Sequence, residues 1–318
     1  MANKNRTIFE IFLQAIGLYF TNIDRFVWYM FFPVFGQLTG FLLTLYVVFS
    51  YNEYKPILLA NIPLLKTPLY MNIALGVVLL PIVILWIKSI WDYLVAYSAV
   101  NSMTENMLKS ERVYDFPAHT MMITRRWLPY IALCTMYIGI IFLSTIPIFL
   151  VFVWILLVYY AFVFQIFLFE PELSPFDCFK KSSQYVHGSF KQTFYMILLA
   201  GGLSYVILPQ IILTFLETIK VVDYLKDVLV KFISVPSLDW INMILSAAGC
   251  HQITPEQIAY LIIKCLIIII VIQLLLPLRV ICMCLWYKNF YNDAGAMKQI
   301  DDRILARAGA SKSTKKKK

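Results

Sequence analysis

Residues 127–169 form a run of 43 positions without a charged side chain, and this run limits the chain more than any other feature. A helix needs about 20 apolar residues to cross a hydrocarbon layer of about 30 Å. Inside lipid, only helices and closed barrels satisfy every backbone polar group. The run lacks the period-2 alternation of a barrel strand, so the expectation is helical. It is too long for one crossing and divides at Ser144, Thr145, Ile146 and Pro147, where small polar residues and a proline suit a turn. Further charge-free runs cover 26–52, 67–87 and 193–216.

Composition agrees. Hydrophobic residues make up 61% of the 318-residue chain and charged residues 14%, against roughly 45–50% and 25% in soluble domains. The expected fold class is an all-α integral membrane protein with six transmembrane helices, at about 26–50, 67–95, 127–144, 148–169, 194–216 and 258–286. The last span contains Lys264 and Arg279, whose long stems can snorkel to opposite interfaces. Residues 1–25 are expected to form an N-terminal interfacial helix, 26–297 the six-span membrane domain with an outer amphipathic loop at 217–257, and 298–318 a basic cytoplasmic tail. Charges in the first 25 residues argue against a cleaved signal and for a first span that stays as an anchor.

Basic residues set the orientation. With six spans and the N-terminus inside, 19 Lys and Arg fall in inward segments and 5 in outward loops. Loops rich in lysine and arginine stay cytoplasmic, so both termini are expected in the cytoplasm. The inward set includes Lys4, Arg6, Arg112, Arg125, Arg126, Lys180, Lys181 and Lys191.

Helix-start grammar marks segments outside the spans. Ser174, Pro175 and Asp177 supply a capping serine, a first-turn proline and an acid. Phe176, Phe179, Val186 and Phe190 then line an apolar stripe, with Lys180, Lys181 and Lys191 elsewhere, as in a helix lying in the cytoplasmic interface. Thr7 and Glu10 repeat the box. At a constant offset of 167, Thr7 meets Ser174, Phe9 meets Phe176, Glu10 meets Asp177 and Phe12 meets Phe179. Asp115, Phe116 and Pro117 open a shorter third version. The pattern is compatible with three repeated units, each an interfacial helix followed by a two-span hairpin. In the outer loop, Val222, Leu225, Val228, Leu229 and Phe232 make an apolar stripe ending at Pro236, and Thr254 caps the final span. That loop suits either a cover on the bundle or outer leaflet, or a lid over a cavity.

The stretch 170–190, with Ser174, Pro175, Lys181, Ser182, Gly188 and Phe190, resembles the membrane domain of some glycerophosphoryl diester phosphodiesterases and related uncharacterised bacterial six-span proteins. Leu285, Trp286 and Tyr287 resemble the aromatic exit of their last span. The resemblance implies a fold and a bacterial inner membrane, and no particular reaction. The long outer loop departs from the compact pattern of those families.

Catalytic chemistry finds no footing. His119, His187 and His251 are scattered, the six cysteines show no metal-site spacing, and neither a phosphate loop nor a nucleophile elbow is present. No cofactor, metal, catalytic residue or nucleic-acid partner is expected, because the basic character sits at membrane edges and suits anionic lipid. The basic residues assigned to lipid contact are Arg125, Arg126, Lys180, Lys181 and Lys191. Intramembrane polar or hinge candidates are Gln165, Gly201, Gly202, Pro209, Gln210, Gln273 and Pro277. Gly36 and Gly40 supply a Gly-x-x-x-Gly surface for a helix within the chain, for a partner membrane protein or for a second copy. The basic tail suits lipid binding and a purely topogenic role equally. The leading expectation is a non-enzymatic, lipid-interacting or envelope-organising membrane protein; the alternative is a small-solute or lipid transporter.

Overall fold

The computed structural model describes residues 7–110, 113, 115–233 and 235–290, and among them every regular element is helical. The expectations placed on Lys4, Arg6, Arg112 and the tail 298–318 lie outside these residues. The first group of elements is α1 (Ile8–Thr21), α2 (Ile23–Asn61), a 3-10 turn (Pro63–Lys66) and α3 (Pro68–Ser110). The second is α4 (Phe116–Thr124), α5 (Trp127–Leu143), a 3-10 turn (Pro147–Phe149), α6 (Leu150–Tyr159) and α7 (Val163–Phe169). The third comprises α8 (Pro175–His187), α9 (Phe190–Gly201), a π-helical turn (Gly202–Ile207), α10 (Leu208–Thr218), α11 (Val221–Val230), α12 (Val235–Ala247), α13 (Pro255–Leu274) and α14 (Leu276–Phe290).

Five stretches among the described residues are long and apolar enough to cross a membrane: Ile23–Tyr51, Pro68–Leu108, Pro147–Phe169, Phe190–Thr218 and Pro255–Asn289. The expected span at 127–144 becomes a sixth only when α4 and α5 are taken together, and these two are bent by 78°. On its own α5 has 17 residues, about 25 Å at 1.5 Å per residue.

Local chemistry explains the starts and breaks. Thr7 Oγ1 accepts from the Glu10 amide at 3.3 Å while the Thr7 amide donates to Glu10 Oε2 at 3.0 Å, a reciprocal box that satisfies donors with no intrahelical partner. Ser174 Oγ accepts from the Asp177 amide at 3.2 Å, and Thr254 and Gln257 form a second reciprocal box before α13. Asp115 instead holds a left-handed conformation (φ 56°) without a side-chain cap. The π turn precedes Pro209, whose ring would meet the carbonyl four residues back; a wider turn relieves that contact. The break at Leu275 lies two residues before Pro277 and has the same cause.

The chain separates into two compact units. Among the described residues, one contains 7–30, 93–204 and 275–290; the other contains Phe31–Asp92 and Tyr205–Leu274. In the first unit the most deeply buried stretches are 95–107, 162–169 and 275–287, the closing segments of the three hairpins. Short helices surround them. Helix α8 packs on α7, α1 packs on α14, and α4 is held to α3 through His119 and Ser102, Nδ1 to Oγ 2.8 Å. Each short helix thus lies on the last helix of the hairpin before it, and α1 closes the ring on the last hairpin. The offset of 167 recurs here: α1 and α8 start 167 residues apart, as do α2 and α9. Ile11, Ala15 and Tyr19 are buried on α1, and their counterparts Cys178, Ser182 and Val186 are buried on α8. At the following junction Asn22 Nδ2 donates to the Leu18 carbonyl, and Ser189 Oγ at the matching position donates to that of Tyr185.

In the second unit Phe49, Ile233, Leu238 and Ala259 form a core, joined by Leu45, Leu229, Val230 and Ile262. The elements α11 and α12 therefore bury one face on α2 and α13. The glycines at 36 and 40 serve an intrachain contact. A Cβ on Gly36 would stand 2.4 Å from Ser89 Oγ, and one on Gly40 3.3 Å from the Trp86 ring nitrogen. Small residues let two helix backbones approach closely, and here the partner is α3.

Candidate functional site: a basic rim and a buried polar cluster

The residues assigned to lipid contact all lie in the first unit: Arg125 and Arg126 just ahead of α5, Lys180 and Lys181 midway along the amphipathic α8, and Lys191 in the first turn of α9. Arg125 is exposed, two residues ahead of Trp127, which is 51% exposed at the start of α5. On α8, Cys178, Phe179, Ser182 and Val186 face the protein, while Phe176, 68% exposed, and Lys180 face away. Lys191, in the first turn of α9, is exposed near the exposed Phe194 and Tyr195. Arginine, lysine and aromatic side chains at the head of an apolar helix are the anchors used at a membrane interface.

The other two basic residues are engaged internally. Lys181 pairs with Glu170, which also accepts from Tyr287 Oη at 3.4 Å. Arg126 donates to the Phe167 carbonyl at 2.8 Å, and its guanidinium sits 4.2 Å from the centre of the Phe167 ring. The apolar stripe read along α8 divides likewise, because Phe179 and Val186 pack into protein and Phe176 remains outside. Burial pushes the Cys178 thiol up to about 11, opposed by the nearby Arg126 cation, which makes it a poor nucleophile. Burial also pushes the Tyr19 phenol up to about 12, with the Arg279 cation opposing.

A second group of polar residues is wholly enclosed. Helix α3 does not stop near residue 95 as expected. It continues to Ser110, since no proline or glycine interrupts it after Pro81. Its extension carries Ser98, Asn101, Ser102 and Glu105 at helical spacing, all buried. Gln165 Nε2 on α7 donates to Asn101 Oδ1 at 3.1 Å, and Cys284 Sγ on α14 donates to the Asn101 carbonyl at 3.5 Å. One turn further along α3 and α14, Glu105 faces Lys288 at 4.0 Å. Ser98 Oγ donates to Tyr130 Oη at 2.9 Å, and His119 Nε2 lies 2.9 Å from Asn106 Nδ2. The closing helices of all three hairpins thus meet at one polar cluster, in which Gln165 Oε1 is buried with no hydrogen-bond partner.

The remaining polar and hinge candidates are divided between the two units. Gly201 ends α9 and Gly202 opens the π turn, while Pro277 is buried at the start of α14. Pro209 is buried and Gln210 exposed in α10. Gln273 Nε2 donates to Gln37 Oε1, and Gln37 in turn donates to the Ser89 carbonyl at 3.5 Å, a helix-to-helix link within the second unit. There too Lys264 Nζ pairs with Glu217 Oε1 at 2.8 Å and lies 3.3 Å from Tyr260 Oη. Among the described residues no three His, Cys, Asp or Glu side chains are grouped so as to hold a metal ion. The polar face of α3 was missed by the sequence reading, although its spacing of three and four residues is a signal for it.

No protein-family model matches the chain, and no curated protein or solved structure is similar to it.

Proposed function

We propose that this chain is a six-span protein of a bacterial cytoplasmic membrane, with both termini inside, whose basic rim engages anionic lipid in a non-enzymatic, envelope-organising role. The observation that carries this reading is the outward set Arg125, Lys180 and Lys191, each near an exposed aromatic side chain close to the start of α5, of the amphipathic α8 or of α9. A three-unit organisation goes with it, supported by the shared offset of helix starts and buried positions in α1 and α8 and by the cyclic packing of the short helices. The basic rim then occupies the inner interface, where the leaflet carries negative charge.

Each cation near an anionic surface contributes about 1 kcal/mol, so the three outward residues together contribute about 3 kcal/mol, roughly 100-fold in lipid preference. The test is native mass spectrometry of the protein in nanodiscs of mixed phosphatidylglycerol and phosphatidylcholine. Arg125→Gln/Lys180→Gln/Lys191→Gln should lose the anionic preference, whereas Lys181→Gln should retain it. Equal retention of anionic lipid by wild type and triple variant would sink the proposal.

A second reading, transport of a small solute or lipid, draws on the π turn beside Pro209 and on the enclosed cluster of Asn101, Gln165, Glu105 and Lys288. Wide turns and intramembrane charges are typical of moving, substrate-handling helices. It requires substrate-dependent changes in the accessibility of cysteines placed near Pro209 and Pro277.

A further inference from the structure

The middle hairpin has a turn unlike those of the other two. Between α2 and α3 the chain carries Lys66, with Glu53 and Lys55 in the last turns of α2, and between α10 and α13 it carries Lys220, Asp223, Lys226, Asp227 and Lys231. Between α5 and α6 it reads Ser144, Thr145, Ile146, Pro147, Ile148, Phe149, with no charge from Trp127 to Phe169. Ile148 is 82% exposed, the highest value of any large apolar side chain among the described residues, and Ile146, Phe149, Leu150, Val151 and Phe152 beside it are exposed as well. This turn has Ser144, Thr145 and Pro147 as its turn residues, and every other side chain it presents is a branched aliphatic or an aromatic.

Both of its hydroxyls and five of its amides are satisfied internally. Ser144 Oγ donates to the Ile141 carbonyl at 2.6 Å and Thr145 Oγ1 to the Phe142 carbonyl at 2.7 Å. The amides of Ser144, Thr145, Ile146 and Phe149 donate to carbonyls three residues back, and that of Leu150 to Pro147. Backbone and hydroxyl groups must be satisfied in this way where no water is at hand. Length on the α5 side points in the same direction; the returning stretch Pro147–Phe169 has 23 residues and is broken at 160–162. The 17 residues of α5 span about 25 Å, short of the roughly 30 Å of hydrocarbon. The 78° bend ahead of α5 prevents α4 from adding to that length along the same axis.

From these observations we infer that the turn of the middle hairpin, residues 144–150, ends inside the acyl layer of the outer leaflet and contacts lipid chains instead of water. The ligand is the acyl chain itself, and the surface is the rim of Ile146, Ile148, Phe149 and Val151. This rests on the membrane reading above, and the experiment separates the two.

Single substitutions Ser144→Cys and Ile148→Cys are made in the otherwise native chain, with Asn61→Cys and the exposed native Cys250 as references for the other two turns. Right-side-out and inverted vesicles are treated with a membrane-impermeant maleimide, and labelled sites are read by peptide mass. Positions 144 and 148 should label at least tenfold more slowly than position 61 and Cys250 on whichever side those two react. In parallel, Ile148→Trp reconstituted with lipids brominated along the acyl chain should be quenched more than wild type. Labelling of 144 or 148 as fast as the references, in protein that resists alkaline carbonate extraction, overturns this inference and leaves the membrane reading intact. Absence of added quenching at Ile148→Trp overturns it as well. Release of the protein by carbonate overturns both.

Discussion

The pair formed by Glu105 and Lys288 offers the sharpest test of the enclosed cluster. Both side chains are largely buried, 3% and 12% exposed, at 4.0 Å. Lys288→Met keeps an unbranched stem of similar length and removes only the charge, so packing against Phe169 is largely preserved while the Lys288 cation facing Glu105 is lost. At 4 Å and an effective dielectric of about 20 the Coulombic attraction is about 4 kcal/mol, and removing one partner of a buried pair costs about 3–5 kcal/mol. Because 4.0 Å is long for an ion pair, the lower end applies, about 3 kcal/mol. Glu105→Gln/Lys288→Met removes both charges together and should fall within about 1 kcal/mol of wild type, since no uncompensated charge remains. The assay is reversible unfolding in mixed micelles titrated with denaturing detergent, followed by circular dichroism, as a double-mutant cycle. Lys288→Met within about 0.5 kcal/mol of wild type, or a double variant worse than either single one, would falsify the claim that the two charges compensate each other in a dry interior.

Gly36→Ala places a methyl group 2.4 Å from Ser89 Oγ, and overpacking of this kind costs about 1–3 kcal/mol. The same detergent titration should show that loss, with Ser89→Ala in the same chain recovering most of it. Cys178 should resist maleimide at pH 8 in the folded protein while the exposed Cys250 reacts within minutes. The Cys178 thiol is raised from 9.0 to about 11, so the folded state holds its proton more firmly than the unfolded state. Its contribution to stability is complete below pH 9 and disappears as pH rises through 11; a Cys178→Ala variant should show a smaller loss of stability across that window.

The lysines of α8 show how far local information reaches. Sequence placed Lys180 and Lys181 on one helix behind a serine cap, and the helix and cap are where the grammar puts them. Whether each ammonium faces solvent or a carboxylate depends on Glu170, which α7 brings beside Lys181 and away from Lys180. Arg126 is captured likewise by a Phe167 carbonyl 41 residues along the chain. The glycines at 36 and 40 announced a close helix contact, and only folding of α3 against α2 assigned it to this chain. Asn101 and Glu105 lie beyond residue 95, where the sequence places the end of the second span; they are helical and buried, with protein around them in place of lipid.

What the sequence determined by itself is therefore the solvent and the secondary structure. Long charge-free runs require helices in an apolar medium whatever their neighbours, and capping boxes, prolines and turn residues act within four positions of themselves. The tertiary structure decided which polar side chains are spent on internal partners and which remain exposed. It also decided how the three closing helices enclose a polar cluster, and where the middle hairpin stops. Those outcomes depend on hydrogen bonds and ion pairs between residues far apart in the chain, whose energies take effect only once packing has brought the partners together and excluded water.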